Sequence, residues 1–422
     1  MTNESWELSK KYDADFIPTS LPIVIERGQG VILTDSTGHQ TIDLGDIIAN
    51  VGHSHPRLVQ AIHQAAANMI VGKGSWTNPE RARLMQRLVE LTPANLDKVF
   101  FATSGSEIVE WAIRMARRLT GKHEILSFWG GVYGRTLGAI SMNGLQKRRR
   151  KYGPLLPGTI HAPYAHCYHC AFDKKIESCN FYCVDYLDRI LEFESTGDLA
   201  CLIVEPYEGV GGLLFPPPGY LTRLQSWARE RNVIFILDEI QSSFGRTGKM
   251  FALEWENLSP DILCVGKGMG GGVSIAALVA STPLADALAP GEMSGGNGGN
   301  PLACASALAV IDILRDENLV ENSYRVGEYM LARAREWQKQ FALVGDVRGR
   351  GLCIAVEFVK DRATKEPARG FAHTLSERCY PKGLAVHGMD HILALRPPLI
   401  ITADQATRAM DVIEETIKEM VA

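Results

Sequence analysis

Short, nearly unbroken apolar runs recur along this chain, at Val99-Phe100-Phe101-Ala102, Ile125-Leu126-Ser127-Phe128, Cys201-Leu202-Ile203-Val204, Val233-Ile234-Phe235-Ile236-Leu237, Ile262-Leu263-Cys264-Val265 and Ile275-Ala276-Ala277-Leu278-Val279. A strand with one wet face alternates apolar with polar residues, so runs of this kind predict strands buried on both faces. Helical periods separate several of them. In the clearest, Ile108, Trp111, Ala112, Met115 and Leu119 share one face, Glu107 and Glu110 stand early, Arg117 and Arg118 late, and Gly121 ends the pattern. The alternation predicts an α/β layer on a mainly parallel sheet. After Pro301 the texture changes to long amphipathic helices at 302–317 and 321–342, then a strand-like stretch at 352–358. The expected organisation is an N-terminal arm that is part of a small domain (1–50), a large domain (51–301) and a smaller α+β domain (302–422).

With 422 residues, several cores are within reach, and 46% apolar against 22% charged residues excludes extensive disorder. A net charge of −4 supplies no basic field for nucleic acid or an anionic membrane. The run Lys147-Arg148-Arg149-Arg150-Lys151 reads as a solvated loop or helix end. No stretch reaches the roughly 18 apolar residues of a membrane span, and the opening MTNESWELSKKYDADF has no apolar leader core. Cytoplasm is the expected compartment, with the nine cysteines as free thiols.

The chemistry begins at Lys267, set among Gly266, Gly268, Gly270 and Gly271 just after the run ending at Val265. A nucleotide-binding phosphate loop would need glycine where Asp261 stands and Ser or Thr where Gly268 stands. The G-x-G-x-x-G spacing of 266–271 belongs in the first strand–helix unit of a dinucleotide fold, not here. The remaining readings are a solvated lysine in a flexible turn and a desolvated amine able to form an imine with a carbonyl compound, with glycines that let a flat ring approach. Asp238 closes the run Val233–Leu237, where a carboxylate needs a partner: a protonated pyridine, a metal or a salt bridge. Thr103-Ser104-Gly105-Ser106-Glu107 joins a strand to a helix N-terminus, which suits either a phosphate or a plain helix cap.

Lysine, acid and anion site, each at the carboxyl end of a predicted strand, describe one cofactor pocket. With them stand Gly52-His53-Ser54-His55-Pro56, Gly134-Arg135-Thr136, Glu205-Pro206, Leu237-Asp238-Glu239-Ile240-Gln241, Gly245-Arg246-Thr247-Gly248, Pro260-Asp261 and Gly298-Gly299-Asn300-Pro301. In this order the motifs resemble the class III (ornithine and 4-aminobutyrate type) aminotransferases, pyridoxal-phosphate (PLP) enzymes of fold type I, over about Gly28 to Glu415. The resemblance implies that Lys267 forms the internal aldimine and moves the substrate proton. It implies that Asp238 holds the pyridine nitrogen, Ile240 packs beneath the ring, Gln241 approaches the ring hydroxyl, and Ser104, Gly105 and Ser106 bind phosphate. It further implies a homodimer with the active site at the subunit interface, an amino donor, and a keto acid or aldehyde acceptor.

Four departures bear on substrate and mechanism. The family's ring-stacking aromatic falls on Val132, with Tyr133 beside it as the ring left to meet the cofactor. Its phosphate-binding threonine falls on Gly296, where only a backbone N–H serves. The carboxylate-binding arginine falls on Ala394, leaving Arg396, two residues on and so on the same strand face, as the substitute. The acid of the Glu-Pro-x-x-Gly-Glu motif is Val210, and loss of arginine and acid together is coherent because either alone would be buried unpaired. Racemisation needs a second base, for which Glu208 or Tyr133 would have to stand in. Decarboxylating transamination of the dialkylglycine decarboxylase type is the other rival, and Asp46 replaces a glutamine that enzyme uses. A catalytically idle relative that only binds the cofactor is the alternative outside enzymology. Separately, Cys167-x2-Cys170-x8-Cys179-x3-Cys183, with His161, His166 and His169 nearby, has spacing that suits a structural zinc or a reduced or partly oxidised loop.

Overall fold

The structure, a computed structural model, describes residues 3–16, 21–72 and 76–422. Two compact units make up the chain: one from the N-terminal residues up to Pro56 together with Glu321–Ala422, the other Arg57–Val320. The sequence placed these breaks at 50/51 and 301/302. Helix Pro301–Asp316 packs against helix Pro79–Leu91, which is why it counts with the larger unit.

In the smaller unit, β1 (Ile25–Gln29), β2 (Ile32–Asp35) and β3 (Gln40–Asp43) form an antiparallel ribbon. The larger unit carries β4 (Lys98–Ala102), β5 (Glu124–Phe128), β6 (Thr159–Ala162), β7 (Leu199–Val204), β8 (Ile234–Glu239), β9 (Ile262–Val265) and β10 (Ala276–Ala280). They form one sheet in the order β4-β10-β9-β8-β7-β5-β6. Neighbours from β9 to β6 pair in parallel, and β10 runs antiparallel to both β4 and β9. Every residue of β5, β7, β9 and β10 is buried, which is why these segments read as continuous apolar runs.

Crossover helices cover the sheet. In helix Gly105–Thr120, Ile108, Trp111, Ala112, Met115 and Ala116 are buried. The expected Leu119 instead faces solvent, since the helix outruns the sheet in its last turn. Gly121 ends the helix at φ 68°, a left-handed cap that glycine adopts without a Cβ clash, and its N–H bonds the Arg117 carbonyl at 2.9 Å. Back in the smaller unit, β11 (Val344–Arg350), β12 (Cys353–Asp361), β13 (Glu366–Pro367), β14 (Leu384–Ala385), β15 (His387–Met389) and β16 (Ile392–Leu395) follow. β11, β12, β16 and β15 form an antiparallel sheet, with β13 on β12, while β14 pairs in parallel with β3. Among the described residues no helix is long and apolar enough to cross a membrane.

Candidate active site

Because β10 alone runs against the others, β4, β7, β8 and β9 all end at one edge of the large sheet. Asp238 is paired in register with Cys264 of β9, and Lys267 follows three residues later. Asp238 is only 4% exposed, and its Oδ1 accepts the Ile240 N–H at 3.0 Å. Burial pushes its carboxyl group up to about 6, while the Ile240 N–H and the charge of Lys267 pull the other way.

Lys267 opens the single 3-10 turn Lys267–Gly270, itself at φ 43°. Gly271, at φ 56°, explains part of the glycine run: a Cβ there would fall 2.6 Å from Leu58 Cδ2 and 2.9 Å from Val310 Cγ2. Ser306 Oγ donates to the Gly270 carbonyl at 2.8 Å, so the turn is pinned to helix Pro301–Asp316.

The helix N-terminus meets the same edge. A Cβ on Gly105 would sit 2.8 Å from Ile240 Cδ1, and one on Gly266 would sit 3.6 Å from Ile240 Cγ2, so Ile240 touches both the helix start and the lysine turn. Ser104 caps the helix by accepting the Glu107 N–H at 3.3 Å, and Ser106 Oγ accepts the Arg135 N–H at 3.0 Å. N–H groups in a first helical turn have no intrahelical acceptor, and together with the helix dipole they favour an anion there. Gln241 Oε1 is buried and accepts no hydrogen bond. It presses on Gly209, where a Cβ would come within 1.8 Å of it.

Two more carboxyl groups lie beneath. Glu205, directly after β7, accepts the Val132 N–H at 2.9 Å and the Gly209 N–H at 3.1 Å. Burial first, and then the charge of Asp238, push it up to about 8. Glu208 is fully buried, and neither carboxyl oxygen accepts a hydrogen bond. The nearby Gly131 N–H is already given to the Phe128 carbonyl at 3.1 Å. Burial, followed by the charge of Glu205, holds Glu208 well above the ordinary carboxylate range. A Cβ on Gly130, at φ 95°, would fall 1.9 Å from Glu208 Oε2, so that backbone has room for this side chain only as glycine. Sequence reasoning assigned Glu205 no role, although it closes a buried apolar run just as Asp238 does.

The other expected residues divide clearly. Tyr133 is turned into the core, with its hydroxyl donating to the Ile203 carbonyl at 3.1 Å and its N–H to Asn143 Oδ1 at 2.7 Å. Val132 and Val210 are half-buried, and Gly296 is exposed. Ala394 and Arg396 belong to the smaller unit. Ala394 is buried in β16 opposite Ala355 and His387. Arg396 donates its N–H to the Leu44 carbonyl at 2.7 Å and its Nη2 to the Gly45 carbonyl at 3.2 Å.

Cys167, Cys170, Cys179 and Cys183 line one pocket together with Phe172, Ile176 and Tyr182. No three of these sulfurs converge within reach of one ion. The Cys167 and Cys179 thiols are turned toward the carbonyls of Ala165 (4.0 Å) and Ile176 (3.8 Å), and burial raises Cys167 to about 11 and Cys183 to about 12. Of the two readings that the spacing allows, the structural zinc is not supported by this arrangement, and the four residues stand as thiols.

An amine, a buried carboxyl able to pair a ring N–H, an orphaned amide oxygen and a helix N-terminus converge on one sheet edge. This donor set fits PLP, and the architecture is that of fold type I PLP-dependent transferases. The chain belongs to the class III aminotransferase family, whose model matches residues 17–417. It is 35% identical over 407 residues to a leucine/methionine racemase of Thermococcus litoralis, covering 95% of this chain and 92% of that protein. It is 34% identical to an ornithine aminotransferase of an Exiguobacterium species, covering 99% and 98%. An amine transaminase structure from an uncultivated Pseudomonas species, in its PLP-bound internal aldimine form, superposes with a TM-score of 0.91 at 28% identity, covering 97% and 98%.

Proposed function

We propose that the chain transfers the amino group of a simple amine or an amino acid to a keto acid or aldehyde, with Lys267 as the catalytic base and Asp238 as the ring-nitrogen partner. The observation that carries this is the shared sheet edge that presents Asp238, Ile240 and Lys267 against the N-terminus of helix Gly105–Thr120. When bound, PLP supplies an aldehyde that condenses with amines and a ring that takes up the charge left as an α-proton departs. Asp238 would accept the ring N–H and favour its protonated form. Ser104, Gly105 and Ser106 would hold the phosphate, joined by the Gly296 backbone N–H. Ile240 would pack against the ring, and Gln241 Oε1 would accept the ring hydroxyl. Lys267 Nζ would serve as the base that moves the donor's proton.

Amines without a carboxylate are the favoured donors. Position 210 is a valine and position 394 an alanine, so neither carries a charge, and the superposed amine transaminase points the same way. The racemase relative raises a second reading, but exchange on both faces of one carbon needs two acid–base groups. Val210 offers none, while Glu208 and Tyr133 are sealed in the core. Asp46 stands where the dialkylglycine decarboxylase has a glutamine that it uses on the leaving carboxylate, which counts against decarboxylation. An intact lysine and acid argue against an idle relative.

We also propose a homodimer acting in the cytoplasm. Its support is the exposed apolar stretch Met69, Ile70, Val71 and Trp76, and nine cysteines that are all free.

Borohydride treatment of PLP-loaded protein is expected to add cofactor mass on the peptide carrying Lys267. Lys267→Ala is expected to lose that adduct and about 10²-fold or more in turnover. A wild-type protein without the adduct, or a cofactor band that no amine or amino acid bleaches, contradicts the assignment. A donor panel of simple amines, α-amino acids and ω-amino acids separates the substrate classes, and enantiomer exchange without a new amino product would establish the racemase.

A further inference from the structure

β7 and β8 end side by side. Their register sets Val204 opposite Leu237, so one step further on Glu205 stands opposite Asp238, on the same face of the sheet. Both side chains are nearly sealed, at 5% and 4% exposure. Two buried carboxyl groups placed as cross-strand neighbours cannot both ionise freely, since each charge raises the proton affinity of the other. Glu205 is also a structural tie. Its Oε1 takes the Val132 N–H, at the start of the segment whose Arg135 N–H bonds Ser106, and its Oε2 takes the Gly209 N–H, from the glycine that abuts Gln241.

We propose that Glu205 is a positioning residue of this site: its carboxyl group fastens the Val132 and Gly209 loops to the end of β7 and, in register beside Asp238, tunes the proton held at Lys267 Nζ. This rests on the PLP reading above. The groups facing Glu205 are Asp238 from β8, Lys267 from the turn after β9, Glu208 from its own loop, Tyr133 from the segment after β5, and Tyr164, whose hydroxyl donates to the Glu205 carbonyl at 3.2 Å. Lys267 is the one cation among them. With its proton affinity raised to about 8, Glu205 changes charge near neutral pH. Once ionised it adds negative charge behind Asp238 and strengthens proton binding at Lys267 Nζ. An amide at this position keeps a hydrogen-bond acceptor for Val132 but removes the charge.

The test is a pH titration of the visible absorbance of the PLP-loaded protein, which follows the proton beside Lys267. Glu205→Gln is expected to load with cofactor, to lower the midpoint by about 1 pH unit, and to reduce kcat while KM for the donor holds. Glu205→Asp is expected to bring the midpoint back toward wild type. A loaded Glu205→Gln variant with an unmoved midpoint overturns the proposal. Should that variant fail to fold, infrared difference spectra of the wild type without cofactor decide. A protonated-carboxyl C=O band that fades with a midpoint near pH 8, above those of Asp238 and Glu239, supports the role, and the absence of a band with that midpoint overturns it. A wild type that never forms the cofactor band sinks the functional reading instead, and the infrared arm still judges Glu205 without it.

Discussion

Deep burial raises the proton affinity of three carboxyl groups at the sheet edge, Asp238 to about 6, Glu239 to about 7 and Glu205 to about 8. Each folded-state value lies above the unfolded one, so the folded chain binds these protons more tightly, and the stability they contribute is lost as pH rises through the folded values. His53, raised first by its hydrogen bond to Asp43, has the same sign. His161 and His387, lowered to about 4 chiefly by burial, have the opposite sign but act only below their ordinary value of 6.5. The Tm of cofactor-free protein is therefore expected to fall from about pH 6.5 to 8.5. Scanning fluorimetry across that interval checks this, and a Tm that climbs would contradict it. Asp238 and Lys267 were legible in the sequence because a charge directly after an apolar run is costly and so conspicuous. The sequence offered Tyr133 as a ring to meet the cofactor and gave no sign of its hydrogen bond to the Ile203 carbonyl, a long-range contact that no local pattern carries.

At the scale of elements, helix Gly105–Thr120 depends on its first residue pair. Removing the cap with Ser104→Ala is expected to cost about 1 kcal/mol of stability and, on the proposal that the same turn binds the phosphate, to weaken PLP binding more than it lowers Tm. Calorimetry with and without PLP separates the two effects, and a variant with wild-type affinity would take Ser104 out of the phosphate site. Strands β5, β7, β9 and β10 were legible because burial on both faces keeps them almost wholly apolar, and β4 and β8 were legible from the apolar runs Val99–Ala102 and Val233–Leu237 that make up most of their length. β6, with Thr159 and His161 half-buried, and β1–β3, whose residues are mostly partly exposed, lack that signature and went unread. The antiparallel direction of β10 was equally hidden. It follows from the short connection after Lys267, which has no room for the crossover helix that a parallel strand requires.

For the whole molecule, the exposed side chains of Met69, Ile70, Val71 and Trp76 are the main support for the proposed dimer. Val71 is 65% exposed and Trp76 69%, and apolar side chains grouped this closely are what an interaction surface presents. Sedimentation is expected to give a dimer, with Val71→Asp shifting it toward monomer and lowering activity together. A monomeric, fully active wild type would remove the dimer. The bracing of the lysine turn by Ser306, Leu58 and Val310 has a practical consequence. In laboratory evolution toward bulkier donors, enlarging Gly271 or Val310 would press on the turn that carries Lys267 from behind, so useful diversity has to be sought at positions that do not pack against that turn.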